Sequence, residues 1–195
     1  MDDKQEKPSP SGFHMADVRR KRAVERRAVA VGEIVVGAAY PRVIAAQLPK
    51  GDAMMMAEVA GLQGAKHASQ LMPLCHPLSL DYVDVRCVGV AERSAIRVYC
   101  EAALTARTGV EMEALAGVSA ALLTIYDLTK PVQPALQIEG IRLLFKEGGK
   151  SGLWMHPEGM SQEELAHYQP RPTLERTDSV AQAALHFLGE HHRAD

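Results

Sequence analysis

Between Glu113 and Asp127 the sequence carries no charged side chain, inside a stretch that reads TGVEMEALAGVSAALLTIYDLTK from Thr108 to Lys130. Leu115, Val118, Leu122 and Ile125 recur at three- and four-residue steps, which is the period of a helix. A single helix of about twenty residues is expected, capped by Thr108 and stopped by Pro131. A helix without a polar face must be covered on all sides. One face is bulky. The other is small, with Gly117, Ala120, Ala121 and Thr124, and admits a second helix or subunit at close range. The polar residues sit at the ends: Glu111 and Glu113 in the first turn, Asp127 and Lys130 in the last. At about 1.5 Å per residue those ends lie some 25 Å apart. They cannot line one small pocket in a single copy. Either they do separate jobs or a neighbouring subunit brings the opposite end of its helix to the same site, and the second arrangement is favoured. The macrodipole alone accounts for Glu at the start and Lys at the end. A carboxylate at position 127, near a helix C-terminus, needs a further reason.

The rest of the chain is that of an ordinary globular protein. It has 195 residues, 47% hydrophobic and 24% charged, with a net charge of −2, so one domain with a real core is expected and no general attraction to nucleic acid or membrane. Cys75, Cys87 and Cys100 are odd in number and lack CxxC spacing, which suits a reducing, cytoplasmic compartment rather than a zinc module. The opening MDDKQEKPSPSG is charged, not apolar, so it is not a signal peptide.

Residues 1–12 read as a disordered lead-in. Arg19, Arg20, Lys21, Arg22, Arg26 and Arg27 form a basic cluster, most simply a solvated surface, with phosphate binding the less common use. Val29 to Val36 suits a strand and Tyr40 to Leu48 a short helix. Asp52 is a good N-cap for a second long helix, Ala53 to Leu71, expected to face Met55, Val59 and Leu62 inward, with its three consecutive methionines as core filler. In Met72-Pro73-Leu74-Cys75-His76-Pro77 two prolines stiffen a Cys-His pair into an extended loop. Alternation around Val83–Cys87 and Ile96–Cys100 gives an antiparallel hairpin. The last strand runs from Leu136 to Phe145 and slips phase at Glu139-Gly140, which indicates a bulge. After Leu153 prolines break the chain, only Val180 to Gly189 looks helical, and Trp154 has no evident partner. The expected fold is α+β, a four-stranded antiparallel sheet backed by two long helices in the ferredoxin-like order β, α, β, β, α, β. The main domain spans 13–152, and 153–195 is a C-terminal extension, partly helical or disordered.

GGKS does not make a Walker A motif, because Leu144 stands where that motif needs glycine. Nothing in the spacing asks for a metal, and no cofactor is called for. What remains is a set of polar residues in apolar or rigid settings: Lys50, Lys66, Cys75, His76, Glu111, Glu113, Asp127, Lys130, Lys146 and Lys150. Several lysines with a histidine and carboxylates suit an anionic, phosphorylated substrate and acid–base chemistry. A Cys75–His76 nucleophile pair is the competing reading, but neighbours in an extended loop point to opposite sides.

LMPLCHPL (71–78), TGVEMEAL (108–115), LTIYDLTK (123–130) and GGKSG (148–152), with HMADV (14–18) and KGD (50–52), strongly resemble the cyclic pyranopterin monophosphate synthases, the C proteins of molybdenum cofactor (molybdopterin) biosynthesis. The resemblance implies a lyase acting on a cyclised dihydro-GTP made by a radical-SAM GTP cyclase. Its product is a pterin, cyclic pyranopterin monophosphate, and pyrophosphate is released. It also implies a homohexamer, a trimer of dimers, with the active site between subunits. Asp127 and Lys130 match the family's catalytic pair. Leu74, Cys75 and His76 match its substrate-binding loop, and Met112 and Glu113 the second substrate-binding pair, with Glu111 beside them. Lys50 matches the lysine before the GD turn, Lys66 the lysine late in the second helix and Lys150 that of GGKSG, and together they would hold the triphosphate. A lowered Lys130 pKa, tuned by Asp127, would suit proton transfer. His67 stands where arginine is common. Pro131 and Pro134 stand where alanine and lysine are usual, and proline disfavours helical geometry at Lys130. A non-catalytic, oligomeric nucleotide-binding homologue is the alternative.

Overall fold

The computed structural model of the chain describes residues 12–171. Strands β1 (Val24–Val35), β2 (Tyr82–Val90), β3 (Ala95–Ala106), β4 (Gln137–Glu147) and β5 (Trp154–Met155) form one antiparallel sheet in the order β2-β3-β1-β4-β5. The helices are α1 (Tyr40–Ile44), α2 (Ala53–Lys66), α3 (Ala68–Leu71), α4 (Glu111–Thr129) and α5 (Gln162–Tyr168). Through β4 the order is the expected ferredoxin-like one. The fifth strand is an addition: Phe145 pairs with Met155 and Lys146 with Trp154. Trp154 therefore has partners, which the sequence reading did not find.

Helix α4 is the central element. By length and apolarity it is sufficient to cross a bilayer, yet it lies on the sheet with Ala114, Val118, Ala121, Leu122 and Ile125 fully buried. Its small side meets α2 at close range. A β carbon at Gly64 would fall 2.5 Å from Ala120 Cβ, and one at Gly61 would fall 3.1 Å from the Gly117 carbonyl oxygen. The helix starts at Glu111, with Val110 in the capping position and no side-chain cap, so Thr108 does not cap it.

Asp52 caps α2 as expected, accepting from the Met54 and Met55 amides at 3.0 Å. The face that α2 buries is different from the one expected. Ala53, Ala57, Gly61 and Ala65 point inward, while Met55, Met56 and Val59 are exposed. The larger residues cannot face α4, because the helices approach too closely. The expected single helix to Leu71 breaks at His67, and the short helix after Tyr40 ends at Ile44 rather than Leu48.

Strand β1 begins at Val24, earlier than expected, and buries both faces. Ala28, Ala30 and Ile34 join the helix-side core, and Val29 and Val31 a second cluster with Tyr99, Leu144, Phe145 and Tyr168. That explains the unbroken apolar run, since alternation disappears when both faces are covered. The cover is α5, closed by a capping box between Ser161 and Glu164. This helix was not anticipated. The helix expected at Val180–Gly189, and nearly all of the lead-in at 1–12, lie outside the described residues. The bulge at Gly140 is present, with φ +63° and a shift of register against Val31–Glu33.

Candidate active site

The polar groups of α4 gather into two clusters, one at each end. Helices α2 and α4 run antiparallel. The turn before α2 therefore meets the end of α4, and the loop after α3 meets its start.

At the C-terminal end, Lys130 Nζ lies 2.7 Å from Asp127 Oδ1, and Lys50 Nζ donates to Asp127 Oδ2 at 2.8 Å. Two ammonium groups thus supply the reason for a carboxylate at a helix C-terminus. Hydrogen bonds from Lys130 and then Lys50 hold the Asp127 carboxyl down at about 2. The same contact raises the Lys130 pKa. This corrects the expected depression: within one chain the pair is half-exposed, and water together with the carboxylate favours the charged amine. Pro131 does not displace the lysine. Lys130 stays helical at φ −53°, ψ −27°, and its amide donates to the Tyr126 carbonyl. Pro131 therefore leaves Lys130 in helical geometry, contrary to the expectation.

At the N-terminal end, Lys146 Nζ donates to Glu111 Oε1 at 2.7 Å. Glu113 is buried, only 4% exposed, and burial raises its pKa. Met112 between them is partly exposed. The loop does not run extended as expected but turns at Met72–Cys75, with the Cys75 amide donating to the Met72 carbonyl at 3.1 Å; burial, then the Glu113 charge, raises the Cys75 thiol. A protonated thiol is a poor nucleophile, which counts against covalent catalysis through Cys75. His76 is half-buried beside it and Leu74 exposed. Lys66, the last residue of α2, is exposed. The next residue, His67, is tied to the helix end, with Nδ1 2.8 Å from the Gln63 carbonyl.

Beside this end of α4 opens a cleft of about 770 Å³. Lys21, Arg22, Arg26, Arg107, Lys146 and Lys150 line it, together with Gly148, Gly149, Ser151, Glu111 and the uncapped start of the helix. Cations, consecutive loop glycines and an open helix N-terminus are what an anionic phosphate chain requires. Of the expected residues, the structure brings Glu111 and Lys150 into this cleft and leaves Asp127, Lys130 and Lys50 at the other end of α4. Sequence reasoning missed Lys21, Arg22, Arg26 and Arg107, and did not choose Lys146 for the site. The first three were in view as a basic run. Their signal was position, since the run leads into a strand whose neighbour ends at Ala106, directly before Arg107.

The MoaC family model matches residues 15–149. A molybdenum cofactor biosynthesis bifunctional protein of Synechococcus elongatus is 51% identical over 144 residues, which is 73% of this chain and 45% of that protein. Cyclic pyranopterin monophosphate synthases of Chloroflexus aggregans and Novosphingobium aromaticivorans are 42% and 47% identical over 145 residues. In each case the match covers 74% of this chain, and it covers 88% and 91% of those proteins. The match takes in both polar clusters and the cleft except Lys150 and Ser151, and on it the chain belongs to the MoaC family.

Proposed function

We propose that the chain is a cyclic pyranopterin monophosphate synthase, a phosphorus–oxygen lyase of molybdenum cofactor biosynthesis, and that its active site is completed by two copies. The substrate is a cyclised dihydro-GTP supplied by a radical-SAM cyclase, and pyrophosphate leaves as the cyclic phosphate closes. The setting is the cytoplasm and the assembly a homohexamer, a trimer of dimers.

The observation that carries the reading is the division of polar groups along one helix. From Glu111 to Asp127 is sixteen residues, or about 24 Å at 1.5 Å per residue. The cleft holds cations for a triphosphate and a Lys146–Glu111 ion pair of its own, but neither residue matched to the family's catalytic pair. The Asp127–Lys130 pair, with Lys50, is half-exposed. Apposing the C-terminal end of one copy to the cleft of another joins the two halves. It also removes water from Lys130, which shifts a lysine pKa downward. Lys150, Lys146 and Arg26 then hold phosphates and stabilise the leaving pyrophosphate. Lys66 extends that cationic surface. Glu111 and the buried Glu113 accept from the base's N–H groups beside Met112, and Leu74, Cys75 and His76 wall the pocket.

The test follows pyrophosphate and the fluorescent oxidised pterin in a coupled assay with the upstream cyclase and GTP. Asp127→Asn and Lys130→Ala should fold and lose turnover. Co-expressed Lys130→Ala and Lys150→Ala chains should recover activity, because random mixing rebuilds about a quarter of shared sites. No recovery in verified mixed assemblies would refute the shared site. Near-wild-type turnover in either single catalytic variant would refute the residue assignment.

A further inference from the structure

The family match ends at residue 149, yet the residues beyond it are built into the fold around the glycine loop. Pairing of Lys146 with Trp154 turns residues 147–153 into the closed end of a hairpin. The His156 amide donates to the Leu144 carbonyl at 2.8 Å. Helix α5 then covers the second face of the sheet. At its end the Tyr168 carbonyl accepts from Arg27 Nη2 at 2.7 Å. The same guanidinium donates to Glu101 and lies 3.4 Å from Glu147 Oε1, which also accepts the Arg171 amide. Glu147 directly precedes Gly148. Arg26, the neighbour of Arg27 on β1, lies against Gly149, where a β carbon would fall 1.6 Å from its Nη1.

We propose that residues 154–171 form a positioning strap, in which the Arg27–Glu147–Tyr168 clamp fixes the Gly148–Lys150 loop and Arg26 in the arrangement that receives the substrate's phosphates. The inference rests on the cleft being the phosphate site. Gly148, Gly149 and Gly152 hold positive φ of 92°, 73° and 61°, so this backbone has wide freedom unless it is held. Freezing it only on binding costs affinity. A clamp formed beforehand removes that cost, and Arg27, Glu147 and Tyr168 act as positioning residues without touching the reacting atoms. The strap has a second anchor away from the cleft: the Tyr99 hydroxyl donates to Glu164 Oε1 at 3.0 Å, and Glu164 Oε2 accepts the Ser161 amide at 2.8 Å.

Loosening that second anchor tests the strap without altering the cleft. In the full chain, Tyr99→Phe alone and Tyr99→Phe with Glu164→Ala are compared with wild type. Tripolyphosphate binding is measured by calorimetry well below the thermal midpoint, and KM and kcat in the coupled assay. The double variant should bind tripolyphosphate about tenfold more weakly and show a matching rise in KM, with kcat within about twofold. Tyr99→Phe, which stays folded through its intact ring packing, should move both in the same direction and less far. A lower thermal midpoint with affinity and KM unchanged would overturn the proposal and leave the segment as a cover for the sheet. Lys150→Ala is the control for the cleft itself. If it binds tripolyphosphate as tightly as wild type, the phosphate assignment fails and the strap with it.

Discussion

Two carboxylates on one helix titrate in opposite directions, and the difference is entirely environmental. Asp127 is exposed between two ammonium groups that pull its pKa to about 2. The stability it contributes is present above its unfolded value of 3.8 and is lost as pH falls through about 2. Its partners are half-exposed to water, so that contribution is small. Glu113 is enclosed, and burial favours its neutral form. A carboxyl whose folded pKa is raised loses stabilising effect as pH rises from 4.5 through the folded value. Glu113→Gln should therefore raise the thermal midpoint at pH 8, with the gain shrinking as pH falls toward 4.5, while turnover falls if the carboxylate reads the base. A lower midpoint at pH 8 would show that the ionised carboxylate has a compensating partner. The sequence made both residues candidates. It could not give the sign of the Lys130 shift, because that depends on whether water reaches the amine.

The packing of α2 on α4 shows how element-level geometry overrides residue type. Hydropathy favours Met55 and Val59 as core residues, yet the helices meet through Gly61, Gly64, Ala116, Gly117 and Ala120. Gly64→Ala separates the two effects. Helix propensity favours alanine by about 1 kcal/mol. Against it, the new methyl would sit 2.8 Å from the Ala116 carbonyl oxygen, a backbone atom that cannot rotate away, and overpacking costs about 1–3 kcal/mol. The net expectation is destabilisation by up to about 2 kcal/mol in urea unfolding. Stabilisation instead would show that the helices separate at little cost. The small stripe on α4 was legible in the sequence. Which side of α2 met it was not, because both sides of α2 are uncharged enough to be buried.

At the scale of the whole molecule, the proposed assembly would place a second copy against the exposed face of α2 and the half-exposed Asp127–Lys130 pair. Val59 is 54% exposed, so Val59→Glu should change the stability of the chain by no more than about 0.5 kcal/mol. Under the proposed assembly it should nonetheless lower the mass seen by light scattering and the turnover together, since contiguous exposed apolar residues are characteristic of interfaces. A full-mass, fully active Val59→Glu protein would place the contact elsewhere. The two-ended helix was readable from sequence, because counting residues along a helix measures distance. The strap was not, because the residues that hold it, Arg27, Tyr99, Glu147 and Glu164, are spread over more than a hundred positions and acquire their roles only on contact.

By itself the sequence determined the α+β class, the buried uncharged helix and the Gly140 bulge. Each is a local matter of period, backbone restriction or side-chain chemistry. The tertiary structure decided the fifth strand, the inward face of α2, the cationic cleft between β1 and the glycine loop, and the direction of each pKa shift. Those depend on which surfaces exclude water from which groups, and that is fixed only when distant segments close on one another.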